Sequence, residues 1–506
     1  MGFLAEFDAL DGTSANALLY DWILNRREEL FEELRSCRPI LKFRSLHPGN
    51  PDLSDPGERE RGDAYLLTRR ADVERALSDF SMRPYRLRDR FILSNDDVDD
   101  HRAERAALED ALQTPLLERH MDRAVEEAWA DALARSGTRE RLSLDLRGFG
   151  RDVALRFTAY QMGLPMSGVF PPPPDQGLRD WSARAYESFI WKIHARHFVE
   201  DGPGPDDSLE KITALVAAQA RAPRSGSVIQ RLFSAPGSFS DEDVIANVVG
   251  SIQGTVDNIM TGGCYALDQM IRSGALEPAR RLLRSGDTTA LIPLLHQAHR
   301  RAPPSPFLPR YGRPSELPSA AESPGALGDP SDGRAANFSC AIGAALDDPR
   351  ADPDAAEDAW DLRMGHGRHR CVGRRIGDLL MARMIAKVIA LDDISIESPL
   401  ETRWGWIVDS FVIGGRPKLP SKKERSRYAV LRLAEKRSHR PYALSLWSPS
   451  PEPGTTDDYT SWPSLVDRAY SGRHLPPRES PSTLPRDHDR HAPSEGYGAV
   501  TELFRR

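Results

Sequence analysis

The stretch Met364-Gly-His-Gly-Arg-His-Arg-Cys371-Val-Gly373 constrains this chain more than any other segment. Two glycines precede a lone cysteine and a third follows it, so the chain must turn tightly around one sulfur. The loop runs directly into Arg374–Ala390, where Ile376, Leu379, Leu380, Met384 and Val388 recur at helical spacing. That spacing predicts a cysteine at a helix start, where unpaired N–H groups and the macrodipole favour its thiolate form. A thiolate held in this way is a metal ligand. Two plainer readings stand beside it: a buried free cysteine next to a Gly-rich turn, and a zinc site drawing on His366, His369 and Cys371. The zinc reading lacks a fourth ligand, because no second Cys/His pair lies nearby in the sequence.

The rest of the chain fits a large soluble enzyme. Its 506 residues, 40% of them hydrophobic, suffice for a sizeable core. A formal net charge of −7 gives no reason to expect nucleic-acid binding. Cys37, Cys264, Cys340 and Cys371 are far apart and unpaired in pattern, which suits a reducing cytoplasm. No apolar run reaches the roughly 18 residues of a membrane span. The expectation is therefore a soluble, cytoplasmic protein.

Along the chain, residues 18–35 read as one amphipathic helix. Ile40–Phe43 and Ala64–Thr68 read as strands, and Arg70–Asp79 as a short helix. From about 100 to 300 the pattern is mostly helical, and 312–336 reads as a Pro- and Gly-rich loop. Residues 1–420 form the candidate enzyme domain. From 421 to 506 the chain is rich in Pro, Ser, Arg and His without sustained period, and is expected to be largely disordered. Two faint features lie there, a short helix at Tyr428–Lys436 and the group Asp487–His491, which looks only weakly like a metal cluster.

Three further segments carry chemistry. His101 and Arg105 are four apart, on one face of a helix. Asp241–Ile271 is one long helix with a capped start at Ser240 and an acidic first turn; its middle reads Gly254-Thr-Val-Asp257-Asn258. Gln297 and Arg300 precede a Pro303-Pro304 turn, and Arg310 follows it.

Taken in order, these segments resemble the cytochrome P-450 superfamily over roughly residues 15 to 420. The cysteine loop matches that family's Phe-Gly-x-Gly-x-His-x-Cys-x-Gly signature everywhere but its first position, where Met364 stands for Phe. The resemblance implies a mainly α-helical P-450 fold with a small β-sheet region, and haem b between the Asp257 helix and the Cys371 loop. Cys371 would be the axial ligand of the haem iron. His101, Arg105, Arg310 and His369 would hold the haem propionates, since a guanidinium matches a carboxylate with two parallel hydrogen bonds. Gly254 and Gly365 would belong to the cofactor site as well. Asp257 and Asn258 would occupy the family's acid–alcohol pair that relays protons toward dioxygen; a second frame places that pair at Gln253-Gly254. Gln297 and Arg300 would occupy the structural Glu-x-x-Arg clamp.

Two of these positions depart from the pattern. Gln297 brings no charge to the clamp, and Asn258 cannot pass a proton as a hydroxyl does. The implied function is a haem-thiolate monooxygenase that inserts one oxygen atom from O2 into a small, partly apolar organic substrate. Its electrons would come from a ferredoxin or flavoprotein donor, for which Arg102, Arg368, Arg374 and Arg375 offer a basic patch. An alternative is a hydroperoxide isomerase or peroxygenase acting on lipid-like hydroperoxides without a reductase. Tyr459–Pro477 is similar to a short segment of animal-type haem peroxidases, which points to a peroxidase-type partner for that alternative. A second alternative is a catalytically degenerate haem-binding homologue. Specificity is expected from the Arg83–Phe91 loop, the 165–200 segment and the 404–412 hairpin.

Overall fold

The computed structural model describes residues 2–417, except 47–62, 80–81, 84–97, 136–140, 166–176, 194, 200–201, 205, 236–238, 313–316, 323–335 and 351–359. The 421–506 tail with its two faint features, most of the Arg83–Phe91 loop, and part of the 165–200 segment lie outside the described residues.

The chain opens with α1 (Phe3–Phe7), α2 (Gly12–Asn25) and α3 (Arg27–Cys37). The single helix expected over 18–35 is thus two, broken at Arg26, where φ −139° and ψ 38° leave the helical region. The apolar period runs unaltered through the break, from Leu19, Trp22 and Ile23 to Leu30, Phe31 and Leu34. Periodicity alone therefore cannot reveal it. Side chains close the end of α2 instead: Arg26 lies 3.8 Å over the Trp22 ring, and Arg27 Nε donates to the Ile23 carbonyl at 3.1 Å.

The strands read from the sequence are β1 (Ile40–Arg44) and β2 (Asp63–Leu67), paired antiparallel with Ile40 opposite Leu67. They are followed by α4 (Arg70–Ser78) and the short β3 (Met82–Arg83). A helical body comes next: α5 (Val98–Leu112), α6 (Leu117–Arg135), then β4 (Leu142–Asp145), α7 (Leu146–Met162), α8 (Leu178–Ile193), α9 (Ser208–Ala220), α10 (Val228–Phe233), α11 (Asp241–Arg272), α12 (Leu276–Leu282) and α13 (Ile292–Arg301). After it, β5 (Phe307–Gly312) and β6 (Ala336–Ala341) complete a five-stranded sheet of order β1-β2-β6-β5-β3, in which only β2 and β6 run parallel. Then come α14 (Ile342–Leu346), 3-10 turns at Trp360–Met364 and Gly367–His369, and α15 (Arg374–Ile389). The hairpin β7 (Asp392–Arg403) and β8 (Ile407–Arg416) joins β4 in a second sheet, β4-β8-β7.

Helix α11 organises the body. Ser240 Oγ accepts from the Asp243 N–H at 3.1 Å while the Asp243 carboxylate accepts from the Ser240 N–H at 2.9 Å, a capping box. Such caps contribute roughly 1 kcal/mol. Its neighbours approach closely because glycines stand at the crossings. A Cβ on Gly262 would lie 2.8 Å from Met381 Sδ of α15, and one on Gly150 of α7 would lie 3.2 Å from Met260 Cα. The sequence thus permits α15, and with it the cysteine loop at its start, to sit directly against α11. The main apolar core fills the space among α6, α7, α11, α13 and α15. Among the described residues, no helix is long and apolar enough to cross a membrane.

Candidate functional site

The cysteine loop is closed by its own backbone. The Cys371 N–H donates to the Met364 carbonyl at 2.8 Å, bringing the two ends together. Gly365 and Gly367 have φ of +83° and +69°, the left-handed region that glycine adopts without strain. Gly367 also needs its missing Cβ, which would stand 3.2 Å from the Leu77 carbonyl oxygen and Ser78 Cα of α4. On the other side, Gly365 lies over Leu308 of β5. The loop is therefore wedged between α4 and β5, with its sulfur at the start of α15. The Cys371 residue is half-buried, yet desolvation is the largest influence on its sulfur and pushes the thiol up. The Gly373 N–H and the charges of Arg105 and Arg363 act in the opposite direction. The helix-start effect expected from the sequence is present, but burial outweighs it.

A cationic cluster meets this loop from α5. Arg105 donates to the Arg368 carbonyl at 3.0 Å, and Arg368 Nε to His369 Nε2 at 2.9 Å. The His101 and His369 rings are 5.0 Å apart and nearly perpendicular. His101 is buried, and its Nε2 has no hydrogen-bond partner. Desolvation, and then the charges of Arg105 and Arg368, hold its imidazole below its usual pKa. Arg310 is also buried, two residues along β5 from Leu308 and so on the same strand face. His101, Arg105, His369 and Cys371 thus lie at one loop, and Arg310 lies on the strand, β5, that packs against it.

Helix α11 packs along α15. Gly254 is exposed, and a Cβ there would meet nothing within 4 Å, so bare backbone faces open space. Asn258, one turn later, shares that face, with Nδ2 donating to the Gly254 carbonyl at 2.9 Å and Ser305 Oγ 3.5 Å from Oδ1. Gly254 lies about five helical rises, roughly 7.5 Å, before Ile259, whose Cδ1 reaches to within 3.8 Å of a Cβ placed on Gly377 of α15. Two observations match the chemistry of haem b: a buried, unpartnered His101 nitrogen within a cationic cluster suits its carboxylates, and the bare Gly254 face suits a broad flat group.

Asp257 points elsewhere. Relative to Gly254 it is turned about 60° the opposite way from Asn258, and it is fully buried against α7, its Oδ1 3.3 Å from the Arg151 guanidinium. The structure gives Asp257 to the α7 interface and Asn258 to the open side. Burial pushes the Asp257 carboxyl up to about 6, against the opposing pull of Arg151. An acid whose pKa is raised on folding stabilises the protein fully below its unfolded value, near 3.9, and that contribution is lost as pH rises through the folded value. Against Asp257→Asn, which does not titrate, the native protein should lose about 2 kcal/mol between pH 4 and pH 7. Urea unfolding of both proteins across that range checks this; a constant difference would contradict it.

The clamp is corrected. Gln297 Oε1 is buried without a partner, and Arg300 is exposed, pairing with Asp347 at 2.7 Å near α14. Neither residue reaches the cysteine loop. The residues that bond its flanks are each one position earlier in the same helix. His299 is buried, with Nε2 2.9 Å from the Gly262 carbonyl of α11 and Nδ1 3.3 Å from Arg363 Nη1. Arg363 immediately precedes Met364 and donates to Asp378 of α15 at 2.8 Å. Asp378 also lies 3.0 Å from His296 Nε2. Burial raises the Asp378 carboxyl, but the hydrogen bond from His296 and the Arg363 charge leave it below the usual carboxylate range. Burial and Arg363 hold His299 down to about 3, so it is neutral. Sequence reasoning missed all four residues. The available signal was Asp378, an acid set beside Leu379 and Leu380 in an apolar helix, since a buried carboxylate must find partners.

Among the described residues, no group of three His, Cys, Asp or Glu side chains converges as a metal cage. No protein-family model matches the sequence, and no curated protein sequence does. Solved structures do match. P450BioI, in complex with an acyl carrier protein ligated to hexadec-9Z-enoic acid, is 15% identical with a TM-score of 0.57, covering 78% of this chain and 100% of its own. The mixed-function P450 MycG is 17% identical with a TM-score of 0.55, covering 76% and 95%. CYP109E1 from Bacillus megaterium, bound to corticosterone, is 14% identical with a TM-score of 0.54, covering 76% and 97%. At such identities the likeness is one of architecture, and the chain has the cytochrome P450 fold.

Proposed function

We propose that this protein is a haem-thiolate oxidoreductase that inserts one oxygen atom from O2 into a small, partly apolar organic substrate, with Cys371 as the axial ligand of haem b. The observation that carries the reading is the placement of Cys371. Its sulfur stands at the start of α15 in a backbone-closed loop beside a buried cationic cluster, and α15 packs along α11, the helix that carries the bare Gly254. Haem b, when bound, supplies the oxygen activation, and a thiolate ligand favours O–O cleavage. The protein's part is to hold and orient. Arg105, Arg310, His101 and His369 hold the two carboxylates, and Gly254 leaves room for the ring. Asn258, on the same open face as Gly254, would offer its amide to a bound oxygen species or substrate. Arg102, with Arg368, Arg374 and Arg375 in and beside the loop, would suit an acidic ferredoxin or flavoprotein electron donor.

One observation favours a second reading, a hydroperoxide isomerase or peroxygenase. With Asp257 committed to Arg151, the open face of α11 carries Gly254 and Asn258 where the family keeps an acid–alcohol relay. A hydroperoxide substrate brings both oxygens and needs no such relay. Because a neighbour of this fold is seen with an acyl carrier protein bearing a fatty acid, lipid-like acyl compounds are the first substrates to assay in either case.

Titrating haemin into the full-length protein tests the site. Each charge-assisted hydrogen bond contributes roughly 1.5–3 kcal/mol, so a double Arg105→Ala, Arg310→Ala variant should bind haemin about 10²–10⁴-fold more weakly. Far-UV circular dichroism should show the same helical content. Native affinity in the double variant would contradict the assignment.

A further inference from the structure

We propose that His299 is a positioning residue: through Arg363 and Asp378 it ties the cysteine loop to the carbonyl of Gly262 in α11, and so fixes where the Cys371 sulfur stands. The proposal rests on the reading of that loop as the haem site. Four elements meet in this brace. His299 comes from α13, Gly262 from α11, Arg363 from the turn that delivers Met364, and Asp378 from α15. The geometry fixes the imidazole tautomer. Nε2 faces a carbonyl and must donate, so Nδ1 carries the lone pair that accepts from the Arg363 guanidinium. A neutral imidazole satisfies both partners at once, consistent with its lowered pKa.

Arg363 is then held at both ends, by His299 on one nitrogen and Asp378 on another, and its side chain is almost wholly buried. Asp378 is further fixed by His296, one helical turn before His299. Arg363 is followed by Met364, whose carbonyl accepts the Cys371 N–H. The chain of contacts thus runs from α11 to the residue that closes the loop. Neither Gln297 nor Arg300 takes part, so the brace does the work that the sequence had assigned to them.

The test uses the full-length chain in a Cys37→Ser background. Cys37 is exposed whereas Cys264 and Cys340 are buried, so fast alkylation by iodoacetamide reports on Cys371. In haem-free protein, His299→Leu should speed alkylation of Cys371 by about tenfold or more, because losing buried hydrogen bonds frees the loop. His299→Gln keeps a donor and an acceptor at similar reach and should stay within about twofold of native. Asp378→Asn, which keeps the shape but removes the charge that anchors Arg363, should raise the rate by about fivefold. Native alkylation rates in both His299→Leu and Asp378→Asn would overturn the proposal, as would a His299→Gln variant as fast as His299→Leu. If His299→Leu fails to fold by circular dichroism, Asp378→Asn and His299→Gln decide the matter between them.

Haemin is then added to the same proteins. Native and His299→Gln should give the red-shifted band of a thiolate in the reduced carbon-monoxide complex, and His299→Leu a diminished one. If the native protein never gives that band, the haem reading fails, while the alkylation rates still decide whether the brace positions the loop.

Discussion

Cys371→Ser is expected to leave a folded protein that has lost the red-shifted band of its reduced carbon-monoxide complex and nearly all turnover. The fold should survive because the contact closing the loop is the Cys371 backbone N–H on the Met364 carbonyl, which serine keeps. The positive φ of Gly365 and Gly367 and their packing on β5 and α4 are likewise untouched. What serine cannot supply is a soft, polarisable anionic ligand, and that electron donation is what favours O–O cleavage. A rate loss on the order of 10³-fold, roughly 4 kcal/mol of barrier, is the expected scale. Circular dichroism, haemin titration and turnover of the same preparation separate a chemical loss from an unfolded protein. Retained turnover in a folded Cys371→Ser protein would exclude the thiolate from the chemistry.

Asn258 carries the second large effect, and its direction separates the two reaction classes. If a hydroperoxide is the substrate, Asn258 serves by hydrogen-bonding the O–O bond as it breaks, and Asn258→Ala should slow turnover by about 10- to 100-fold, the equivalent of one strong hydrogen bond. Adding a reductase should then change nothing. If dioxygen and electrons are used, Asn258→Thr restores a hydroxyl that passes protons and should raise product formed per electron consumed. Asp257→Asn should alter either rate far less than Asn258→Ala, because Asp257 faces Arg151 on α7 and not the open side of α11. Turnover measured for these three variants with and without a reductase, on O2 and on a lipid hydroperoxide, distinguishes the cases. A larger effect from Asp257→Asn would restore the acid to the chemistry.

The parts of this molecule that the sequence reveals are those built from local rules. The capped start of α11 at Ser240, the helix after Cys371 and the β1–β2 pair all follow from capping, period and turn residues within a few positions. The cysteine loop is legible because Gly365 and Gly367 answer a local backbone demand for positive φ. What is not legible depends on a partner far away in the chain. Asp257 and Asn258 are adjacent in sequence, and α11 is buried on most of its faces, so no period tells which one turns toward Arg151, 106 residues earlier. The clamp shows the same limit. Gln297 and Arg300 align with the family spacing, yet the side chains that bond the residues flanking the loop are His296 and His299, selected by where Asp378 and Arg363 arrive. The break at Arg26 escapes for the opposite reason, since the apolar pattern is helical on both sides of it.

The absorption spectrum of the purified full-length protein, loaded with haem, reduced and exposed to carbon monoxide, tests the central claim most directly. A thiolate from Cys371 predicts a strongly red-shifted band that vanishes in Cys371→Ser and persists in Cys37→Ser. An unshifted band in the native protein, or no uptake of haem at all, would contradict the assignment of Cys371 as the axial ligand.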